Sequence, residues 1–286
     1  MRFVTYSSDR GARAAGVRGG EYVDLNDADS GLPVSLKAIL AMGTEGLERA
    51  RQAIGSGRGF AAAGVQVLAP IPDPEKVICI GLNYADHAAE SNQPIPPEPV
   101  VFNKFPTAVS SHGAPIVLPK LSDQVDYEAE LVVVIGRGGR HIPVESAYSH
   151  VAGYACGHDV SARDWQLRKP GGQWLLGKTF DTFAPFGPEL VTPDEVGNPG
   201  ELNIALRVDG VTLQNSNTRQ LIFSIDRLIA YVSGVCTLKS GDVLFTGTPP
   251  GVGAARKPPI FLRDGNVVEV EIEKLGVLSN PVIREA

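Results

Sequence analysis

Two glutamates run straight into an apolar stretch. Glu128-Ala-Glu130 leads into Leu131-Val-Val-Val-Ile135, and Gly136-Arg-Gly-Gly139 follows as a turn. The β-branched content and the bounding glycines predict a strand. Side chains alternate along a strand, so Glu128 and Glu130 face the same side. Two like charges one step apart repel each other and resist leaving water. Two readings satisfy that constraint. Either this is the solvated side of an ordinary half-buried strand, or a hard divalent cation sits between the carboxylates and keeps both ionised.

The rest of the chain narrows the function classes. Its 286 residues suffice for a large core or for a domain plus a smaller one. A net charge of -6, with no basic run or aromatic-basic stripe, argues against a nucleic-acid partner. No apolar stretch is long enough to predict a membrane span. Met1-Arg-Phe-Val-Thr-Tyr6 reads as a strand and not as a leader segment. Cys79, Cys156 and Cys236 are far apart, odd in number and without CxxC spacing. Reduced thiols in a cytoplasmic protein are therefore expected, not a disulfide framework or a zinc site.

Residues 1–70 read as a small leading α/β module. Phe3–Tyr6 and Glu21–Leu25 are strand candidates, and Leu36–Leu40 and Leu47–Ile54 have helical spacing. Gly55-Ser-Gly-Arg-Gly59 lacks the Lys-Ser/Thr of a phosphate loop and reads as a linker. Pro70-Ile-Pro-Asp-Pro74 marks the boundary to a second domain, 71–286. There Val77–Ile80 is a strand ending at Gly81. Asn83 is the expected N-cap of a short helix, Tyr84 to Ser91. His87 and Glu90 lie three apart and face each other on such a helix. A carboxylate beside an imidazole fixes its tautomer and raises its basicity, as a general base requires. The other reading is an exposed pair on a surface turn. Four prolines between 94 and 99 follow, so this segment is a candidate lid.

Val100–Phe105 is a strand with Phe102 and Lys104 on one face. Lys104 either snorkels at an edge or faces an anionic ligand. Val151–Cys156 is a strand whose end carries His158-Asp159, making Asp159 a candidate third carboxylate and His158 a supporting group. Lys178 follows the apolar run Trp174-Leu-Leu-Gly177, where a buried ammonium needs a negative partner. Asp164 and Asp181 read as scaffold. Leu202–Gln214 alternates around Asp209-Gly210 as a hairpin. Ser224 caps a helix with Ile225, Leu228, Ile229, Val232 and Val235 on one stripe. Gly247-Thr-Pro-Pro-Gly-Val-Gly253 permits close backbone approach and offers the Thr248 hydroxyl, a combination suited to cradling a carboxylate. Residues 266–272 alternate as a closing strand.

Five segments then stand in a meaningful order. They are Gly81-Leu-Asn-Tyr-Ala-Asp-His87-Ala-Ala-Glu90, Asp126-Tyr-Glu-Ala-Glu-Leu131, His158-Asp-Val-Ser-Ala-Arg-Asp-Trp-Gln166, Gly177-Lys-Thr-Phe-Asp-Thr182 and Thr246-Gly-Thr-Pro-Pro-Gly-Val-Gly253. In this order, over about residues 76–280, the chain resembles the fumarylacetoacetate hydrolase superfamily. Gln173–Phe183 and Arg256–Leu262 look most like the subgroup of fumarylacetoacetate hydrolase domain-containing protein 2. Many superfamily members carry Asn where this chain has His158, a departure that fits the subgroup.

The resemblance implies a mainly β (α+β) fold, a mixed β-sandwich roll with short helices, and a homodimer. It implies that Glu128, Glu130 and Asp159 bind Mg2+ or Mn2+, with Ca2+ a substitute in crystals. His87 with Glu90 would be a lid-borne base pair. Lys178 would contact substrate, and Arg163, Gln166, Thr248 and, more weakly, Lys104 would hold an acid. The implied activity is oxaloacetate keto-enol tautomerisation. The alternatives are hydrolysis or decarboxylation of a β-diketo acid and ureidoglycolate lysis. A non-enzymatic oxo-acid sensor is a further class, and the His87/Glu90 pair speaks against it because a sensor needs no base.

Overall fold

In a computed structural model, which describes residues 1–90 and 92–286, the strand Ala129–Ile135 lies near the middle of everything. All seven of its residues are buried. Leu131, Val133 and Ile135 pack in one cluster with Ile204, Leu206, Val268 and Val270. Val132 and Val134 pack in another with Phe3, Leu36 and Ile39. A strand covered on both faces must be apolar throughout, which explains the unbroken Leu-Val-Val-Val-Ile run.

Ten strands form the main path of a twelve-stranded mixed sheet. In spatial order they are Gly59–Ala61, Glu21–Asp24, Gly11–Arg18, Arg2–Ser8, Ala184–Val191, Val151–His158, Ala129–Ile135, Val243–Phe245, Val77–Gly81 and Val100–Lys104. Val67–Leu68 and Val109–Ser110 pair off this path. A five-stranded sheet packs against it, in the order Val211–Asn217, Asn203–Val208, Val267–Ile272, Gly276–Arg284 and Ile116–Leu118. The architecture is the expected α+β, β-rich sandwich with short helices. Arg2–Ser8 pairs antiparallel with Ala184–Val191, so the strands of residues 1–70 continue the central sheet.

Local sequence signals explain most of the elements. Asp209 and Gly210 both take positive φ, 51° and 77°, as the two-residue turn between Asn203–Val208 and Val211–Asn217 demands. The leading helices are Leu36–Ala41 and Thr44–Ser56, and the second runs through Gly55 into the expected linker. The helix Ile225–Val235 buries Ile225, Leu228, Ile229 and Val232, but Val235 is 76% exposed. Val235 stays within about 20° of the buried Leu228 around the helix axis, but it is the last residue of the helix, past the packed part of the stripe.

Asn83 is not a helix cap. The helix runs Ala85–Glu90, and the Asn83 side chain donates to Phe223 O and Thr246 O while accepting from Phe223 N. Two neighbouring loops claim its amide before the helix can use it. Ser91, the expected last residue of that helix, lies outside the described residues. Among the described residues, no helix is long and apolar enough to cross a membrane.

Candidate active site

The ladder between Ala129–Ile135 and Val151–His158 builds the site. Ala129 pairs with His158 and Glu130 with Gly157. The register extends one step further, because Asp159 N donates to Glu128 O at 3.0 Å. Antiparallel pairing therefore delivers Asp159 to the two glutamates. Ligand oxygens of Glu128, Glu130 and Asp159 all lie within 4.8 Å of one another, and all three residues are buried. Glu128 sits just before the strand, yet the expected juxtaposition with Glu130 forms. The solvated-face reading fails, since Glu128 is 6% exposed and Glu130 1%.

Lys178 reaches the cluster from the helix Trp174–Lys178. That helix lies tight against Arg163–Arg168 because Gly177 has no side chain. A Cβ there would stand 2.6 Å from Gln166 N. Lys178 Nζ donates to Glu128 Oε2 at 2.9 Å, Asp159 Oδ2 at 2.7 Å and Ser161 Oγ at 2.8 Å. Arg163 adds a second cation. It donates to Glu128 Oε1 at 2.5 Å, Asp126 Oδ2 at 2.7 Å and Gln166 Oε1 at 2.9 Å.

Burial by itself would raise the Glu128 carboxyl, but Lys178 and Arg163 outweigh it and pull it down to about 2. Burial likewise opposes the charge on Lys178, and Asp159 and Glu128 overcome it and hold the ammonium above its usual range. Glu130 differs. Burial, then repulsion from Asp159 and Glu128, push its carboxyl well above the usual range. Its protein partner is the Gly247 N–H at 2.8 Å.

Lys104 lies on the far side of Asp159 from this cluster's opening. Its Nζ is 2.6 Å from Asp159 Oδ1. Nζ also lies within hydrogen-bond distance of the carbonyls of Val160, Lys178 and Phe183. Burial lowers the Lys104 pKa against the pull of Asp159. The anion that Lys104 faces is thus a protein carboxylate, and the residue does not reach the cavity wall. The edge-snorkelling alternative also fails, since Lys104 is 1% exposed. His158 is buried too, with Nε2 unpartnered, and burial together with Lys104 drives it down to about 3.

A cavity of about 100 Å³ opens onto the cluster. Glu128, Glu130, Lys178, Arg163, Gln166, Thr248 and His87 supply its polar wall. Ile80, Leu82, Phe102 and Trp174 supply the apolar wall. His87 Nδ1 is 3.0 Å from Glu90 Oε2. A carboxylate only accepts, so Nδ1 carries the hydrogen, and in the neutral imidazole Nε2 holds the lone pair.

The glycine-rich loop does cradle carboxylates, and they belong to the protein. Gly247 N donates to Glu130, Gly251 N to Glu90, and Gly253 N and Ala254 N to Asp126. One loop thereby positions an acid of the cluster, the partner of His87 and the anchor of Arg163. Asp126 and Ser161 were not anticipated in these supporting places. Asp126 was legible as the first acid of its own motif, whereas Ser161 had no signal of its own.

The donor set suits a hard divalent ion. It consists of the oxygens of three converging buried carboxylates, one of them a glutamate with no salt-bridge partner among the described residues.

Known proteins resemble this chain over most of its length. A family described as "Fumarylacetoacetate (FAA) hydrolase C-terminal" matches residues 76–283. A relative from Xenopus laevis, "Oxaloacetate tautomerase fahd2, mitochondrial", is 50% identical over 288 residues, covering 99% of this chain and 90% of its own. The solved 5-carboxymethyl-2-hydroxymuconate delta-isomerase of Mycobacterium smegmatis is 36% identical with a TM-score of 0.79, and each chain is covered to 100%. The maleylpyruvate hydrolase of Sphingobium sp. SYK-6, solved with manganese(II) and pyruvate, is 31% identical with a TM-score of 0.83, again with each chain covered to 100%. The chain belongs to the fumarylacetoacetate hydrolase family.

Proposed function

We propose that this protein is a metal-dependent enzyme that interconverts the keto and enol forms of a 2-oxo acid, with oxaloacetate as its substrate. The observation that carries the reading is the placement of an oriented imidazole, His87 with Glu90, on the wall of the same small cavity as the three carboxylates. The 50% identity to a relative named as an oxaloacetate tautomerase supports the choice of acid.

Glu128, Glu130 and Asp159 would hold Mg2+ or Mn2+. When bound, such an ion supplies Lewis-acid stabilisation of the negative charge that develops on the oxo oxygen. Lys178, fixed between Glu128 and Asp159, adds positive charge at the same place. The free Nε2 of His87 takes a proton from carbon 3 of the acid. Delivery of that proton to the oxo oxygen completes the enol, and the reverse transfer restores the ketone, so no co-reactant is consumed. Thr248 and Gln166 orient the carboxylate, while Arg163 holds Glu128. Ile80, Leu82, Phe102 and Trp174 keep bulk water from the enolate.

Hydrolysis of a β-diketo acid is the second reading, favoured by the likeness to the maleylpyruvate hydrolase. It requires a water to be admitted and activated beside the bound acid. Mixing the protein, Mg2+ and enol-oxaloacetate and following the ultraviolet enol band tests the proposal. Decay no faster than with Mg2+ alone sinks it. New carboxylic acid products from an acylpyruvate would favour the hydrolase instead.

We further propose a homodimer, to be checked by light scattering, and residues 1–70 and 71–286 as the two domains. A cytoplasmic location is also proposed; the Xenopus laevis relative is named as mitochondrial, and cell fractionation decides between the compartments.

A further inference from the structure

The apolar end of the cavity is built around one indole. Trp174 sits directly on the backbone of Gly81, where a Cβ would lie 2.6 Å from its Cζ3 atom. The same indole meets the Phe102 ring edge-to-face, with centroids 5.4 Å apart and planes at 68°. Phe102 in turn lies under Lys178, whose Nζ is 5.0 Å from the ring centroid. Indole, phenyl and ammonium thus form one braced column from the end wall to the carboxylate cluster. Leu82 completes the wall from a backbone held at φ 48°, a strained conformation for a leucine. The space, about 100 Å³, is far below the roughly 300–1,000 Å³ of pockets that take drug-sized ligands.

We propose that Trp174, seated on Gly81 and braced by Phe102, sets the length of acid this site admits, limiting it to 2-oxo acids of about the size of oxaloacetate. The inference rests on the oxo-acid reading above and adds the residue that measures chain length. An indole seated on a bare glycine backbone and packed against an aromatic ring yields less readily than a free side chain. A longer acyl chain therefore meets a wall and not a flexible side chain. Replacing the indole by a small side chain opens the end of the cavity without touching the carboxylates or His87.

The experiment compares Mn2+-loaded wild type with Trp174→Ala, Trp174→Leu and Trp174→Phe. The latter two are there in case the alanine variant folds poorly. Calorimetric affinities are measured for pyruvate, 2-oxobutanoate, 2-oxohexanoate and 2-oxooctanoate, and turnover is measured with enol-oxaloacetate. In wild type, affinity should fall by about tenfold or more between 2-oxobutanoate and 2-oxohexanoate, as expected when a packed wall rejects added methylenes. That fall should shrink in Trp174→Phe and vanish in Trp174→Leu and Trp174→Ala. An identical length profile in wild type and all folded variants overturns the inference. Length-selective binding without turnover of enol-oxaloacetate would uphold Trp174 and remove the tautomerase reading. Failure of wild type to bind any of these acids would overturn both.

Discussion

Gln214 holds the Thr248 hydroxyl by its oxygen, with Nε2 donating to Oγ1 at 2.9 Å. The direction of this bond is fixed by two backbone groups. Ala129 N–H donates to Gln214 Oε1 at 2.8 Å, and Pro249 C=O accepts from Nε2 at 2.8 Å. Neither backbone group can reverse its role, so the amide cannot flip. Thr248 must then turn its own hydrogen elsewhere, and its residue lines the cavity. A glutamine on the five-stranded sheet thereby makes Thr248 a donor, suited to a carboxylate.

That relationship predicts the behaviour of Gln214→Glu. The new carboxylate accepts the Thr248 hydrogen and turns it away from the substrate. Loss of a hydrogen bond to a charged group is worth about 1.5–3 kcal/mol. KM for oxaloacetate should therefore rise by roughly ten- to a hundredfold, with a smaller change in kcat. Steady-state kinetics on the folded variant checks this, and an unchanged KM would remove Gln214 from the argument.

His87→Ala should lower turnover by ~100 to 10,000-fold, the usual worth of one general base. Calorimetric titration with Mn2+ should give the same affinity as wild type, because His87 is no member of the carboxylate cluster. Retained turnover in this variant would mean that another group moves the proton.

Glu130→Gln should separate stability from ion binding. Burial and two neighbouring carboxylates make ionised Glu130 costly in the metal-free protein. The neutral amide should raise metal-free stability by about 1 kcal/mol, as substitutions that relieve functional-site strain often do. Mn2+ affinity should fall sharply, and the rise in Tm on adding Mn2+ should disappear. Thermal melts with and without Mn2+ read both effects.

The leading module should show a pH-dependent stability of its own. Buried Asp24 accepts from Arg13 Nε at 2.5 Å and from Tyr6 Oη at 2.7 Å. Burial raises its pKa, but Arg13 and Tyr6 overcome that and bring it below 3.8. A depressed carboxylate stabilises the fold above its unfolded value of 3.8, and the benefit is lost as pH falls through the lower folded value. Asp24→Asn should thus be less stable than wild type by about 3 kcal/mol at pH 7. The gap should close as the pH is taken below 3.8, which urea unfolding at a series of pH values would show.

Much of the carboxylate cluster was legible because its members sit in local patterns. Glu128 and Glu130 stand two apart at the head of a strand, and Asp159 stands at the end of the strand that pairs with it. His87 and Glu90 face each other on one turn of helix, which short-range geometry alone ensures. Lys104 and Val235 were less readable. An alternating strand and a helical stripe say which side a residue lies on, not how deep it sits. Lys104 proved to lie beneath Asp159, and Val235 proved to lie exposed at the end of its helix.

By itself the sequence determined the elements, the pairing of acids with strand ends and the family of the chain, because these depend on spacing within short segments and on motif order. Only the tertiary structure decided which carboxylate went without a cation, where Lys104 points, that the glycine-rich loop serves protein carboxylates, and how Gln214 and Trp174 shape the cavity. Those outcomes depend on contacts between residues up to 161 positions apart, such as Gly251 with Glu90. Burial then sets their electrostatic strength, and burial belongs to the folded chain and to no segment of it.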